Sequence, residues 1–128
     1  MLQPFEVVTA KLLPTIRARL AQVLLDEYDM RQVEVARHLG ITQAAVSHYK
    51  TASRGLDADL VRLFPEIDTE VRALAARIAD GMPQTEQVQA FSTLIDSLMN
   101  TQRFCTYHKK LAAIDPACSI CFPTPPKP

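Results

Sequence analysis

The sequence predicts an all-α protein, and three observations carry that prediction. No stretch alternates apolar and polar residues as a half-buried strand would. Ala, Leu, Arg, Gln and Glu, all good helix formers, dominate the periodic stretches. Apolar residues recur at helical spacing, most cleanly at Val71, Leu74, Ala75 and Ile78, which fall at i, i+3, i+4 and i+7.

The first element expected is an amphipathic helix from Phe5 to Glu27, with Leu12, Leu13, Ile16, Leu20, Val23 and Leu24 on one stripe. Pro14 should kink that helix or begin a new one. Two short helices follow, Gln32–Leu39 and Thr42–Lys50, and Ser53-Arg54-Gly55 reads as a stop. Beyond it Val61, Leu63, Phe64 and Ile67 are apolar, but Pro65 interrupts any long helix. A helix from Glu66 to Ala79 ends at Gly81-Met82-Pro83. Thr85 to Met99 repeats the pattern through Val88, Phe91, Leu94, Ile95 and Leu98, with Thr85 as its cap. From Arg103 the composition changes to three cysteines, then to Pro123, Pro125, Pro126 and Pro128, a tail too proline-rich and short to fold alone.

At 128 residues the chain can bury a real core but not a large enzyme pocket beside a separate cofactor domain. No apolar run approaches the roughly 20 residues that cross a bilayer. The start, Met1-Leu2-Gln3-Pro4-Phe5-Glu6, lacks the basic and apolar regions of a secretion signal, so a cytoplasmic protein without a membrane partner is expected. Its 14 basic and 14 acidic side chains cancel, yet they are unevenly spread. Residues 1–55 carry seven basic and five acidic groups, residues 56–100 three and eight, and residues 101–128 four and one. An acidic middle between two basic ends fits a chain with one anion-facing part and one solvated part.

The most informative stretch runs from Gln32 to Lys50. Ala36 is small where two helices must cross closely, and Gly40 follows the first helix where a left-handed residue is needed to turn. Thr42 can cap the second helix. Val35, Ala36, Leu39, Ile41, Val46 and Tyr49 form the apolar set that fixes the angle between the two. Gln43, Ala44, Ser47, His48 and Lys50 point outwards together. Small residues and short hydrogen-bonding side chains are what a helix needs to enter the major groove and reach base edges.

On these residues the segment resembles the helix-turn-helix of the Xre, or lambda-repressor-like, regulators, with Gly40-Ile41-Thr42-Gln43-Ala44-Ala45-Val46-Ser47-His48-Tyr49-Lys50 and the later Arg54-Gly55 matching that family's recognition helix. More narrowly, the chain resembles short predicted regulators, common in archaea, that join this module to a C-terminal Cys/His cluster. The resemblance implies a lambda-repressor-like bundle, with Thr42, Gln43, Ala44, Ser47 and His48 facing bases and Gln32, Lys50 and Arg54 facing phosphates. It also implies double-stranded operator DNA as partner.

All three cysteines lie in Cys105-x-x-His108 and Cys118-x-x-Cys121. An odd count without a secretion signal disfavours a disulfide framework and favours metal or redox chemistry. Each x-x spacing lets two ligands point the same way, and two such pairs can close a tetrahedral set of Cys105, His108, Cys118 and Cys121. Lys109 to Ile114 could form a short helix between them, and Asp115-Pro116 a turn. Phe104, Ile120, Phe122 and Pro123 would wall the site from water, while Lys109 and Lys110 would offset thiolate charge. Three cysteines and one histidine make a common structural zinc set. They could also hold an iron–sulfur cluster of the 4Fe–4S type, although such clusters usually take four cysteines. The reading leans to the cluster because a regulator needs an input, with one structural zinc as the alternative. A dithiol switch at Cys118 and Cys121 is a third choice.

The expected organisation is therefore a helix-turn-helix DNA-binding domain over residues 1–56 and a helical linker or dimerisation segment over 57–102. A Cys3His metal site at 103–122 and the proline-rich tail 123–128 follow. The function this implies is a homodimeric transcriptional regulator sensing redox, oxygen or iron state. The competing readings are a small redox or electron-transfer protein, and a partner-binding scaffold with a structural zinc. No phosphate-cradling glycine loop and no Ser/His/Asp set point to an enzyme.

Overall fold

The computed structural model describes residues 2–52 and 57–121, with the backbone only at 51 and 52. The described residues are all-helical, with no strand among them. Arg54, the stop at 53–55, Phe122, Pro123 and the proline-rich tail lie outside them.

The helix expected from Phe5 to Glu27 is built in three parts: α1 (Pro4–Val7), a π-helical turn over Val8–Leu12, and α2 (Leu13–Glu27). Pro14 sits in the first turn of α2, where its missing N–H is harmless. The Leu13 N–H reaches back five residues to the Val8 carbonyl, closing a widened turn just before the proline. Further along, α2 is buried nearly all round, with Ile16, Ala18, Leu20, Ala21, Val23 and Leu24 inaccessible. It is the central helix, packed by α3 (Gln32–Leu39), α4 (Gln43–Ala52) and α6 (Glu66–Ala79).

Pro65 separates α5 (Ala58–Leu63) from α6, as its missing donor demands. The α6 stripe of Ile67, Val71, Leu74, Ala75 and Ile78 is fully spent on the core against α2. After Gly81, α7 (Gln84–Met99) begins behind Pro83, so Thr85 lies inside its first turn rather than capping it. Proline sets the extended dihedrals of that cap and competes successfully with the threonine hydroxyl. Leu94 and Leu98 of α7 face inwards, whereas Val88 stays 62% exposed.

The last helix, α8, spans Gln102–Ala112, starting well before the short helix expected from Lys109. The Thr101 hydroxyl accepts the Phe104 N–H at 3.1 Å and fixes that start. Arg103 then clamps α8 to the α5–α6 corner. It pairs with Glu66, donates to the Leu63 carbonyl at 3.0 Å, and lies 4.8 Å over the Phe64 ring. One buried cluster runs through all these elements, from Val7 to Phe104.

Candidate nucleic-acid interface and thiol cluster

Gly40 closes α3 in the left-handed conformation, φ +66°, the geometry the sequence required of it. Its N–H and that of Ile41 both return to the Ala36 carbonyl, which pins the turn to the end of α3. Two residues later the Thr42 hydroxyl accepts the Ala45 N–H at 3.1 Å and starts α4. Val35, Ala36 and Val46 are buried, with Leu39, Ile41 and Tyr49 packed against them. Glu34 accepts from the Arg31 backbone and guanidinium, which hold its carboxyl below the ordinary range.

These contacts leave a defined edge on α4. Thr42, Gln43, Ala44, His48 and Lys50 are exposed, and Ser47 is half-buried beside them. Gln32, also half-buried, borders one hollow with Gln43, Lys50, Arg31 and Asp26, so three of the residues singled out in the sequence share a surface. A residue the sequence reading missed is Gln22 on α2, whose side-chain amide donates to the Tyr49 carbonyl at 3.2 Å. It props α4 from behind. A glutamine among apolar neighbours at helical spacing was the available signal.

Towards the C-terminus, α8 carries both Cys105 and His108. Ala113 ends the helix in the left-handed conformation, and the Ile114 N–H returns to the Lys109 carbonyl. The expected turn at Asp115 forms, with Ala117 N–H on its carboxylate at 2.9 Å, and Lys109 Nζ holds the Pro116 carbonyl at 3.0 Å. Together these bonds fold the chain back along α8. Cys118 and Cys121 both come close enough to act on the Cys105 thiol. Burial pushes that thiol above its ordinary value, Lys109 opposes the rise, and the two cysteines add to it.

His108 is committed elsewhere. Its Nε2 is 2.8 Å from the Leu2 carbonyl, so it donates there and ties α8 to the N-terminus. Among the described residues, no group of three or more His, Cys, Asp or Glu side chains is placed to hold a metal ion. Nor is the expected apolar wall closed among the described residues: Phe104 is buried, but Ile120 is 85% exposed.

Asp57 is the other residue that sequence reasoning missed. One carboxylate oxygen accepts the Asp59 and Leu60 N–H groups and caps α5, while the second accepts the Tyr107 hydroxyl at 2.7 Å. The Asp57 N–H in turn donates to buried Thr15 on α2 at 3.0 Å. An aspartate just before a helix announces the cap; its tie to a residue 50 positions away has no local signature. Comparison with protein-family models, curated proteins and solved structures finds no match to the chain.

Proposed function

We propose that this protein is a sequence-specific DNA-binding transcriptional regulator acting as a homodimer. The observation that carries the reading is the exposed α4 edge of Thr42, Gln43, Ala44, His48 and Lys50, held at a fixed angle by the Gly40 turn, the Thr42 cap and Gln22. Short polar groups on a rigidly seated helix can meet base edges, while Gln32, Arg31 and Lys50 around the adjoining hollow can meet phosphates. Regulators of this kind read two half-sites about 34 Å apart, which calls for two copies. Val88, with Phe91 and Ile95 along the groove they share with Leu13 and Leu39, offers an apolar strip for the second copy.

Selection from random duplexes tests this. An enriched sequence is expected, bound with an affinity that falls steeply as salt rises. Gln43→Ala combined with His48→Ala should reduce the preference for that sequence by roughly 2 kcal/mol while leaving the melting temperature unchanged, since both side chains are exposed. No enriched sequence, or salt-independent binding, removes the proposal. Light scattering reads the second copy, and Val88→Glu should convert a dimer to a monomer.

A further inference from the structure

We infer that Cys105 and Cys121 form a reversible dithiol–disulfide pair. This pair differs from both the four-ligand metal set and the Cys118-x-x-Cys121 switch expected from the sequence, and it rests on where the folded chain places the thiols. Cys105, half-buried on α8, borders one small cavity together with exposed Cys121, Met99, Phe104 and His108. Cys118, half-buried, borders a second hollow that Cys105 also lines with Lys109 and Pro116, so the exposed Cys121 is the thiol that an oxidant in solution meets first. The backbone that delivers Cys121 is held by the Ala113 turn, the Asp115 turn and the Lys109–Pro116 bond, so the approach is built by the fold.

The chemistry needs an oxidant of the peroxide class. The exposed Cys121 sulfur attacks one peroxide oxygen and the O–O bond breaks, giving a sulfenic acid and one water. The Cys105 sulfur then attacks the Cys121 sulfur, the S–O bond breaks, and hydroxide leaves with the Cys105 proton as a second water. Two thiols have lost two electrons and two protons, and hydrogen peroxide has become two waters. A small-molecule dithiol reverses the bond by exchange.

The test uses the full chain, reduced in the presence of a chelator and treated with stoichiometric hydrogen peroxide, and is independent of DNA binding. Intact mass should show the monomer short of two hydrogens, non-reducing peptide mapping should give a Cys105–Cys121 link, and dithiothreitol should restore the starting mass. Cys118→Ser should form the bond as readily as the parent, and Cys121→Ser should not form it. A Cys105–Cys118 or Cys118–Cys121 link, a bond only between chains, or thiols that stay unreactive while a tightly held metal remains would each overturn the inference.

Discussion

Asp57 binds three helices through one side chain and one N–H: it caps α5, accepts Tyr107 of α8, and donates to Thr15 of α2. Removing its carboxylate loses a cap and a charged hydrogen bond at once, so Asp57→Ala should lower unfolding free energy by roughly 2–4 kcal/mol in urea titration. Tyr107→Phe should lose about half as much. Burial first, then the bond to Asp57, pushes the Tyr107 phenol above its ordinary value. Its stabilising contribution is therefore complete below the usual tyrosine range and fades only at strongly alkaline pH. Two left-handed residues give opposite expectations. Ala113→Gly should stabilise by about 1 kcal/mol, because φ +54° burdens a side chain. Gly40→Ala should destabilise by about 1–2 kcal/mol, because a Cβ there takes φ +66° and meets Gln84 Nε2 at 3.1 Å. The amide end of Gln84 can yield, so most of that cost is conformational. Thermal unfolding of both variants checks the pair.

At the scale of elements, the helices with clean periodicity and local punctuation were legible. The bounds Gln32–Leu39 and Glu66–Ala79 are those the sequence predicted, since a turn glycine ends the first and Pro65 begins the second. The misplaced boundaries have physical causes. Pro14 signalled a kink or a new helix, and the second holds, since α2 starts at Leu13 with Pro14 in its first turn; the π turn that precedes it has no signature in residue identity. The start of α8 was hidden because Cys105 and His108 were read as ligands, although Thr101 three residues before Phe104 is an ordinary cap. On α4 the outward set was readable from residue type. Its support by Gln22 was not, because that bond spans 27 positions.

At the scale of the molecule, the acidic character of the middle segment has a structural use. Asp68 accepts from Arg19 on α2 at 2.6 Å and from Arg72, and Arg72 also pairs with Glu27. Glu66 holds Arg103 of α8. Hydrogen bonds from Arg103 to Glu66, and from Arg19 and then Arg72 to Asp68, keep both carboxyls below the ordinary carboxylate range. Groups depressed in this way stabilise the fold above the ordinary carboxylate pKa and lose that effect as pH falls through their folded values. The melting temperature should therefore decline from about pH 4.5 downwards, and Asp68→Asn should flatten that decline while lowering stability at neutral pH. These pairs are partly exposed, so added salt should weaken their contribution. Such pairings were not readable from the sequence, which shows charge balance but not which helix each charge will face. At the C-terminal end the cysteine spacing was legible, but the turn of His108 to the Leu2 carbonyl and the return of Cys118 and Cys121 to hollows lined by Cys105 depended on the path of the chain.

The π turn at Val8–Leu12 also sets a phase. One residue more than an α-helical turn offsets everything before it by about 100° around the axis. That offset decides which side of the N-terminal segment meets α8, and with it the Leu2 carbonyl that receives His108. A chain shortened by one residue here would keep its apolar stripe on α2 yet turn a different side of α1 towards the thiol end. This irregular turn thus acts as an indexing device, aligning the N-terminal segment with α8.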